Sequence, residues 1–327
     1  MTEFNLSLDM RAPDFGTSPA RLYSEVLEMA QFADAHGLDY ISINEHHGTR
    51  DGYLPAPMVL AAALAARTKR IRIQIAAVIL PLHDPVKVAE QIAVLDLVSQ
   101  GRLEIVFGAG YVPFEFNMFR VSLHDRGRLL EEGIPIIQRA LAGERFTAGG
   151  REVFVRPLPI QKPHPSFLHG GGVPATARRA ARLGIGLYPL NPAIIPVYRE
   201  ECEKLGRPVG KIVQNACWIH VSEDPDKTWA QVGPHVGHVA RAYAELTEGT
   251  QSGSPFQNVD SLEALKAVGI YRVVTPDECI ALAKEGEKQG YDYGLAPLIA
   301  GLDPEIGWKN LELFVQKVLP RLRGAKS

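Results

Sequence analysis

The chain has 327 residues, of which 46% are hydrophobic and 22% charged, a composition typical of globular proteins and unlike that of disordered or fibrous chains. Its 35 Lys and Arg residues are matched by 37 Asp and Glu residues, and the net charge of -2 disfavours nucleic acid as a partner. The three scattered cysteines disfavour a disulfide framework or a thiolate metal site and fit a reducing cytoplasm. No signal-peptide pattern is seen at the start, and the most apolar stretch is too short to span a bilayer, so secretion and membrane insertion are not expected.

Short runs rich in β-branched and aromatic residues alternate with longer stretches of helical period, which predicts an α/β fold with a parallel sheet. A helical segment follows each of eight predicted strands: Phe4–Met10, Leu38–Ile43, Ile71–Leu80, Leu103–Phe107, Ser166–His169, Gly186–Leu190, Ile212–Val221 and Tyr291–Leu295. Eight parallel strands favour a closed (β/α)8 TIM barrel with insertions, formed by residues 1–327 as a single domain.

Two segments interrupt this alternation. Residues 146–156 hold two glycines between two short runs and predict a β-hairpin insertion. Residues 248–268 are polar and rich in Gly and Ser, so they form either a mobile lid or a solvated insertion.

The cluster Glu45-His46-His47 follows the second predicted strand, at the carboxyl-terminal rim where barrel enzymes place catalytic groups. An imidazole can move protons near neutral pH, and a neighbouring carboxylate can fix its tautomer. The same residues could instead hydrogen-bond only to loop backbone, or bind a metal with help from His83 and Asp84 after the third strand. His83-Asp84-Pro85 is equally typical of a turn that starts a helix.

A second cluster joins the fifth predicted strand to a helix through three glycines, Gly170, Gly171 and Gly172, and lies between His169 and the segment Val173–Thr176. Glycine backbone and a helix start suit a phosphate, although three glycines can also be only a tight connection. Barrel enzymes more often place a phosphate after strands seven and eight.

Small residues also follow the fourth predicted strand, in Gly108-Ala109-Gly110-Tyr111. They would either let a flat aromatic ring lie against the barrel mouth or only relieve crowding at the strand end. Pro113 stands where a GxGxxG pattern would need its third glycine, and no dinucleotide fingerprint follows the first strand.

In order and spacing these features resemble the bacterial luciferase-like family of flavin-dependent monooxygenases over most of the chain. The segments that carry the resemblance are Ala35–Tyr40, Glu45–His47, Leu80–Val86, Ala89–Gln91, Leu95–Asp96, Ser99–Arg102, Gly108–Gly110, Glu115–Phe119, Arg126, Glu131–Glu132, Pro157–Pro165 and Thr275–Cys279. The resemblance implies a (β/α)8 barrel, usually dimeric, that holds the FMN ring over the barrel mouth and the phosphate at the loop after strand five.

The resemblance assigns site residues by position. It places the catalytic histidine on His46, next to Glu45. It places the FMN phosphate against Gly171, Gly172, Val173 and Thr176, with Arg126 as a further candidate. It also puts Ala76 and Ala77, joined by a non-proline cis peptide, beneath the ring. The implied FMN contacts are Ala76, Ala77, Gly108, Tyr111, Arg126, His169, Gly170, Gly171, Gly172, Val173 and Thr176. Gly108 stands where luciferases of the family have a cysteine, so light emission is not implied.

The function expected from this resemblance is oxygenation of a small apolar organic substrate by reduced FMN and O2 through a flavin C4a-hydroperoxide. His46 would support this intermediate, and Met10, Phe15, Leu190 and Tyr243 would line the substrate site. The missing dinucleotide fingerprint implies a separate NAD(P)H:flavin reductase. Three alternatives stay open: an F420-dependent oxidoreductase, a metal-dependent hydrolase using Glu45, His46 and His47, and a flavin-binding protein without turnover.

Overall fold

The computed structural model describes residues 2–247, 259 and 261–324. The strands are β1 Phe4–Leu8, β2 Tyr40–Ile43, β3 Arg72–Ile79, β4 Leu103–Gly108, β5 Phe146–Ala148, β6 Arg151–Val153, β7 Ser166–Gly171, β8 Gly186–Pro189, β9 Asn215–Val221, β10 Tyr271–Val274 and β11 Asp292–Leu295. The helices are α1 Pro19–His36, α2 Pro57–Arg67, α3 Pro85–Val98, α4 Pro113–Met118, α5 Arg126–Leu141, α6 Pro174–Leu183, α7 Ile195–Lys204, α8 Pro225–Thr247, α9 Leu262–Val268, α10 Pro276–Gln289, α11 Pro304–Leu313 and α12 Leu319–Arg323. In the part of the chain so described, no helix combines the length and apolar composition needed to cross a membrane.

Sequence signals explain where several helices begin and end. Ten of the helices given above carry proline in their first turn, where its missing N–H leaves no bond unmade. Helix α10 also has a capping box, in which Thr275 accepts from the Glu278 N–H and the Glu278 carboxylate accepts from the Thr275 N–H. It ends at Gly290, whose left-handed conformation closes the last turn.

The chain divides into two compact units. The first comprises the described residues within 1–42, 46–55 and 215–327. Its strands lie in the order β10-β9-β11-β1-β2, and β1 runs parallel to β11 with Phe4 opposite Tyr293. Its apolar core includes Trp229, Val232 and Val236 of α8.

The second unit comprises residues 43–45 and 56–214. Its strands lie in the order β3-β4-β7-β8, with parallel pairing throughout. The carboxyl ends of these strands therefore share one edge, which carries Ala76, Ala77, Gly108 and Gly171. Part of its core is a cluster of Val106, Leu168 and Val213, against which both alanines pack.

All eight predicted strands are found at their predicted positions, and the predicted hairpin is confirmed by the antiparallel pair β5–β6. The structure adds β10, which pairs in parallel with β9 and was not predicted. Of the segment predicted as a lid or a solvated insertion, residues 248–258 and 260 lie outside the described residues, and the remainder includes α9. The single-domain organisation stays a prediction.

Candidate functional site

The Ala76–Ala77 segment forms a bulge at the end of β3. Its peptide bond is cis, as predicted. The register against β4 passes from Ala76 opposite Val106 to Val78 opposite Phe107, so Ala77 has no partner across the ladder. The side-chain amide of Asn44 donates to the Ala76 carbonyl oxygen at 2.8 Å and fixes the bulge. The predicted alanine pair is therefore held in a defined position by a neighbouring side chain.

Gly108, at the end of β4, lies directly beside this bulge. A Cβ at this position would stand 3.2 Å from the Ala77 Cβ, closer than most such contacts allow. The absence of a side chain at Gly108 thus leaves a shallow surface formed by small apolar groups, and Tyr111 follows as a half-buried residue. Such a surface suits the face of a flat aromatic ring.

The glycine loop joins β7 to α6 and has no room for a side chain at Gly170 or Gly171. A Cβ at Gly171 would stand 2.5 Å from the Thr176 Oγ1, and one at Gly170 would stand 2.9 Å from a Val106 methyl carbon. The Leu190 N–H donates to the Gly171 carbonyl at 3.0 Å, which ties the loop to the end of β8. Val173 is exposed, and its carbonyl accepts from the Thr176 N–H at 2.9 Å where α6 begins. Glycine at position 171 therefore lets the loop backbone approach the Thr176 hydroxyl closely, and we call the segment Gly170–Thr176 the glycine cradle.

Positive side chains lie near the start of α5, which packs against α6. A Cβ at Gly127 would stand 2.6 Å from a terminal nitrogen of Arg179. Arg179 and Arg182 both contact the Glu131 carboxylate, so two cations share one anion. Arg126 donates to the Leu123 carbonyl at 2.8 Å and has no salt bridge among the residues that the structure describes. The excess positive charge suits a phosphate dianion.

His169 is the predicted cofactor residue whose surroundings differ most from the expectation. Its Nδ1 donates to the Phe107 carbonyl at 2.9 Å, and burial lowers its pKa to about 4. The imidazole is therefore neutral at pH 7. Leu168 packs in the same cluster as Ala76 and Ala77, and neighbouring residues of a strand point to opposite faces. The structure consequently places the His169 side chain on the face of β7 away from the alanine pair.

Glu45 uses both carboxylate oxygens within the second unit. Oε2 accepts from the Ile79 N–H at 2.6 Å, and Oε1 lies 2.5 Å from the His83 Nε2. Burial lowers the pKa of His83, but the hydrogen bond and charge of Glu45 outweigh burial and leave it raised. Sequence reasoning considered His83 only as a metal ligand or a turn residue and missed this pairing. The available signal was that both residues follow neighbouring strands of one parallel sheet.

His46 lies in the first unit, on the loop 46–55. Its N–H donates to the Leu54 carbonyl at 3.1 Å, and its ring stacks on Tyr53 with centroids 4.8 Å apart. The imidazole is buried, with 7% of the residue exposed, and His47 is also buried. Tyr243, predicted as substrate lining, approaches the His46 ring edge-on at 6.1 Å.

The other predicted lining residues have mixed positions. Met10 is buried, whereas Phe15 and Leu190 are 55% and 73% exposed. Phe15 packs on the rings of His235 and His238 in the first unit. In the second unit Leu190 follows β8, and its Cβ would lie 3.7 Å from a Cβ added at Gly172. The structure therefore groups Phe15 and Leu190 with different neighbours.

Comparison with known proteins adds the family. Residues 2–293 match the model of luciferase-like monooxygenases. Limonene 1,2-monooxygenase of Rhodococcus erythropolis is 26% identical over 91% of this chain and 81% of that protein. The oxygenase component of flavin-dependent trigonelline monooxygenase from Acinetobacter baylyi is 25% identical over 99% and 96%. A protein of Sinorhizobium fredii is 31% identical over 52% of this chain and 50% of that protein.

Solved structures agree with this match. The monooxygenase RslO1 of Streptomyces bottropensis is 27% identical, with a TM-score of 0.82 over 98% of this chain and 99% of that one. An F420-dependent secondary alcohol dehydrogenase, 18% identical with a TM-score of 0.73, shares the fold alone. These matches confirm the predicted luciferase-like α/β barrel class and the enzyme class of flavin-dependent oxidoreductases. The chain belongs to the luciferase-like monooxygenase family.

Proposed function

We propose that the protein is the oxygenating enzyme of a flavin-dependent system, which uses reduced FMN and O2 to oxygenate a small apolar organic substrate. The observation that carries the proposal is the shared edge of the second unit. The same edge presents a shallow apolar surface at Ala77 and Gly108 and a glycine cradle at Gly171, backed by the Thr176 hydroxyl. A flat ring with a phosphate tail matches both features.

The residues present fit FMN. Backbone N–H groups of Gly171, Gly172 and Val173, with the Thr176 hydroxyl and Arg126, would hold the phosphate. The ring would lie over Ala76 and Ala77, bordered by Gly108 and Tyr111. When bound, reduced FMN supplies the electrons that activate O2. His169 and Gly170 would support the loop from within β7.

His46 would supply the acid–base function. Its buried ring, stacked on Tyr53, can hold a proton on an imidazole nitrogen and share it with a reacting oxygen as negative charge develops there. We expect His46→Ala to lower turnover by roughly 100-fold while changing FMN affinity little. Glu45, whose two oxygens are both engaged, would anchor the end of β2 rather than exchange protons.

The metal-dependent alternative uses Glu45, His46 and His47 as ligands, and metal analysis of the purified protein tests it. A metal at Glu45 would have to replace the hydrogen bond between this carboxylate and His83. The Glu45 and His83 atoms are 2.5 Å apart, which is a hydrogen-bond distance.

The phosphate assignment is tested with two matched glycine variants. Gly171→Ala puts a methyl group 2.5 Å from the Thr176 Oγ1 and must shift the loop, whereas a methyl at Gly172 makes ordinary contacts of 3.7 Å. Gly171→Ala should weaken FMN binding by about tenfold, the value of one charge-assisted hydrogen bond, and barely change riboflavin binding. The Gly172→Ala variant should bind FMN and riboflavin with the affinity of the wild type. Equal losses of FMN and riboflavin in Gly171→Ala would refute the phosphate assignment.

The choice of cofactor is tested by titrating the protein with reduced FMN and with reduced F420, followed by exposure to O2 and apolar substrates. Tight binding of FMN with substrate-dependent oxygen uptake supports the proposal. Binding of F420 alone would favour hydride transfer, and FMN binding without oxygenated product would favour a flavin-binding protein.

A further inference from the structure

The side chain of Arg11 is buried in the first unit, just past the end of β1. Only 2% of it is exposed, yet it carries a full positive charge. One terminal nitrogen donates to the Asp9 carboxylate at 2.9 Å, and Nε lies 3.6 Å from the Asp51 carboxylate. Two carboxylates thus compensate a cation that burial alone would disfavour.

Two tyrosine rings cover the same guanidinium. Its central carbon lies 3.5 Å from the ring centroid of Tyr53 and 4.7 Å from that of Tyr243. The two phenol oxygens are 3.1 Å apart, which joins the tyrosines by a hydrogen bond. The Tyr53 ring is therefore fixed by a cation on its face and by a hydroxyl at its tip.

The same Tyr53 ring stacks on His46, with an angle of 21° between the two planes. The backbone of the loop is also hydrogen-bonded to Ala12 and to the loop's own residues. The Asp51 carbonyl accepts from the Ala12 N–H at 2.7 Å, and the Tyr53 N–H donates to the Thr49 hydroxyl at 2.8 Å. A histidine on a loop thus rests against a ring that is held from several sides.

The charges of Arg11, Asp51 and Tyr53 do not change near neutral pH. Burial lowers the pKa of Arg11, but Asp9 and the two tyrosines outweigh burial and raise it well above its ordinary value. Burial raises the pKa of Tyr53, so its phenol stays neutral. Burial raises the pKa of Asp51, but hydrogen bonds from His238 and Thr49 and the charge of Arg11 leave it lowered. These three groups support the Tyr53 ring with fixed charges.

An anion site at Arg11 would be the other use of a buried guanidinium. The second terminal nitrogen of Arg11 has no hydrogen-bond partner among the described residues. However, it is shielded from solvent, and Asp9 and Asp51 already neutralise the cation. The Asp9 and Asp51 carboxylates would repel any anionic ligand that approached Arg11.

We propose that Arg11 and Tyr53 are positioning residues for the reaction proposed above, and that they fix the plane of the His46 imidazole. The proposal rests on the proposed role of His46. The Tyr53 ring limits rotation of the imidazole about its two side-chain bonds, and a misplacement of about 1 Å can cost about 100-fold in rate.

The test compares kcat, KM and FMN affinity among single and double variants. Tyr53→Leu removes the ring and should lower kcat by about 10- to 100-fold with little change in KM. Tyr53→Phe keeps the ring and should stay within about threefold of the wild type, because only the hydroxyl contact is lost. Arg11→Lys keeps the charge but not the planar group, and its kcat should fall by about tenfold.

Two controls separate positioning from general damage. Tyr271 is equally buried in the same unit and packs on Trp229, so Tyr271→Leu removes a similar volume without touching His46. Tyr271→Leu should lower stability and leave kcat near the wild-type value at a temperature where it is folded. In a His46→Ala background, Tyr53→Leu should change the residual kcat by less than about twofold, because the two residues act as one unit.

The outcomes are distinct. If His46→Ala is inactive but Tyr53→Leu has wild-type kcat, positioning by Tyr53 is refuted and the role of His46 stands. An equal loss from Tyr53→Leu with and without His46, or an equal loss from Tyr271→Leu, also refutes positioning. Wild-type kcat in Arg11→Lys refutes the part assigned to Arg11. Wild-type turnover in His46→Ala refutes the proposed role of His46, and the positioning proposal with it.

Discussion

Arg102, one of the residues that carry the family resemblance, serves the fold rather than the site. Its guanidinium donates to the carbonyls of Ala65, Thr68, Ile71 and Ser99 and to the Thr68 hydroxyl, at 2.7 to 3.0 Å. Helix α2 ends at residue 67, so Arg102 satisfies its last carbonyls and places a cation at its negative end. A motif can therefore identify a family through residues that never meet the substrate.

Arg102→Met should lower the free energy of unfolding by about 3 kcal/mol, because buried carbonyls at the end of α2 would lose a charged donor. Denaturant unfolding measures the change. Arg178→Met, at an exposed position on α6, is the control and should cost less than about 0.5 kcal/mol. A loss equal to that of the control would show that water replaces Arg102 without cost.

The Glu45–His83 pair predicts a pH dependence of stability. The pKa of His83 is higher in the folded protein than in the unfolded chain. The pair therefore stabilises the folded state fully when the pH is below the pKa of the unfolded chain, and this stabilisation is lost as pH rises through the raised pKa. The difference in unfolding free energy between the wild type and His83→Gln should therefore be largest near about pH 6 and shrink toward about pH 9.

The control for this dependence is His164, because burial lowers its pKa. Its stabilising contribution should be present above about pH 6.5 and be lost as pH falls, which is the opposite sign. Unfolding of His83→Gln and His164→Gln across this range measures both. A constant difference for His83→Gln would mean that its charge state is not coupled to folding.

At the scale of elements, local patterns predicted the strands well. The eight predicted strands are apolar runs bounded by turn or helix signals, which depend on neighbouring residues only. Strand β10 was missed because it directly precedes the helix cap at Thr275, so no turn signal separates its apolar run from the start of α10.

The site shows the same division. The Ala76–Ala77 bulge and the glycine loop are each formed by consecutive residues, so each could be recognised from the sequence. The support of His46 could not, because Arg11, Tyr53 and Tyr243 come from a strand end, a loop and a helix far apart in the chain. The only local signal was the pair Asp9 and Arg11 directly after an apolar strand.

Helix α3 offers a test of the proposed homodimer. Val94, Leu97 and Val98 form an exposed stripe at helical spacing, with 50%, 38% and 43% of each residue exposed. Helix α2, which packs against α3, adds Val59, exposed by 71%. An apolar patch on neighbouring helices is typical of a surface that is covered in the assembled protein.

If this face joins two copies, Val94→Asp should produce a monomer at micromolar concentration, because a charge would be buried without a partner. Light scattering coupled to size exclusion measures the mass. Val209→Asp makes the same change at a loop valine that is 49% exposed and should leave the mass unchanged. A dimeric Val94→Asp protein would show that this face is not the interface.

At the scale of the whole molecule, family membership does not fix the substrate. Two relatives of nearly equal identity, 26% and 25%, are named for different substrates, limonene and trigonelline. One fold can carry sites for different substrates, so the substrate must be argued from the site and not from the family. Direct screening of apolar substrates is needed to identify it.

The source of electrons can be predicted more sharply. The chain has no GxGxxG sequence after its first strand, and Pro113 replaces the third glycine after Gly108 and Gly110. The one glycine cradle among the described residues that suits a phosphate is assigned above to FMN. We therefore expect the protein to take reduced FMN from a separate NAD(P)H:flavin reductase.

A cofactor that arrives reduced must bind and leave, so the purified protein should be nearly colourless and should bind reduced FMN more tightly than oxidised FMN. The measurement is bleaching of FMN absorbance by NADH or NADPH under anaerobic conditions, with and without an added flavin reductase. Protein alone should bleach FMN no faster than buffer, and bleaching should begin when the reductase is added. A mixture of reductase and FMN without the protein controls for the reductase itself. Rapid bleaching by the protein alone would show that it binds the nicotinamide nucleotide and reduces its own flavin, which would make it a self-contained oxidoreductase.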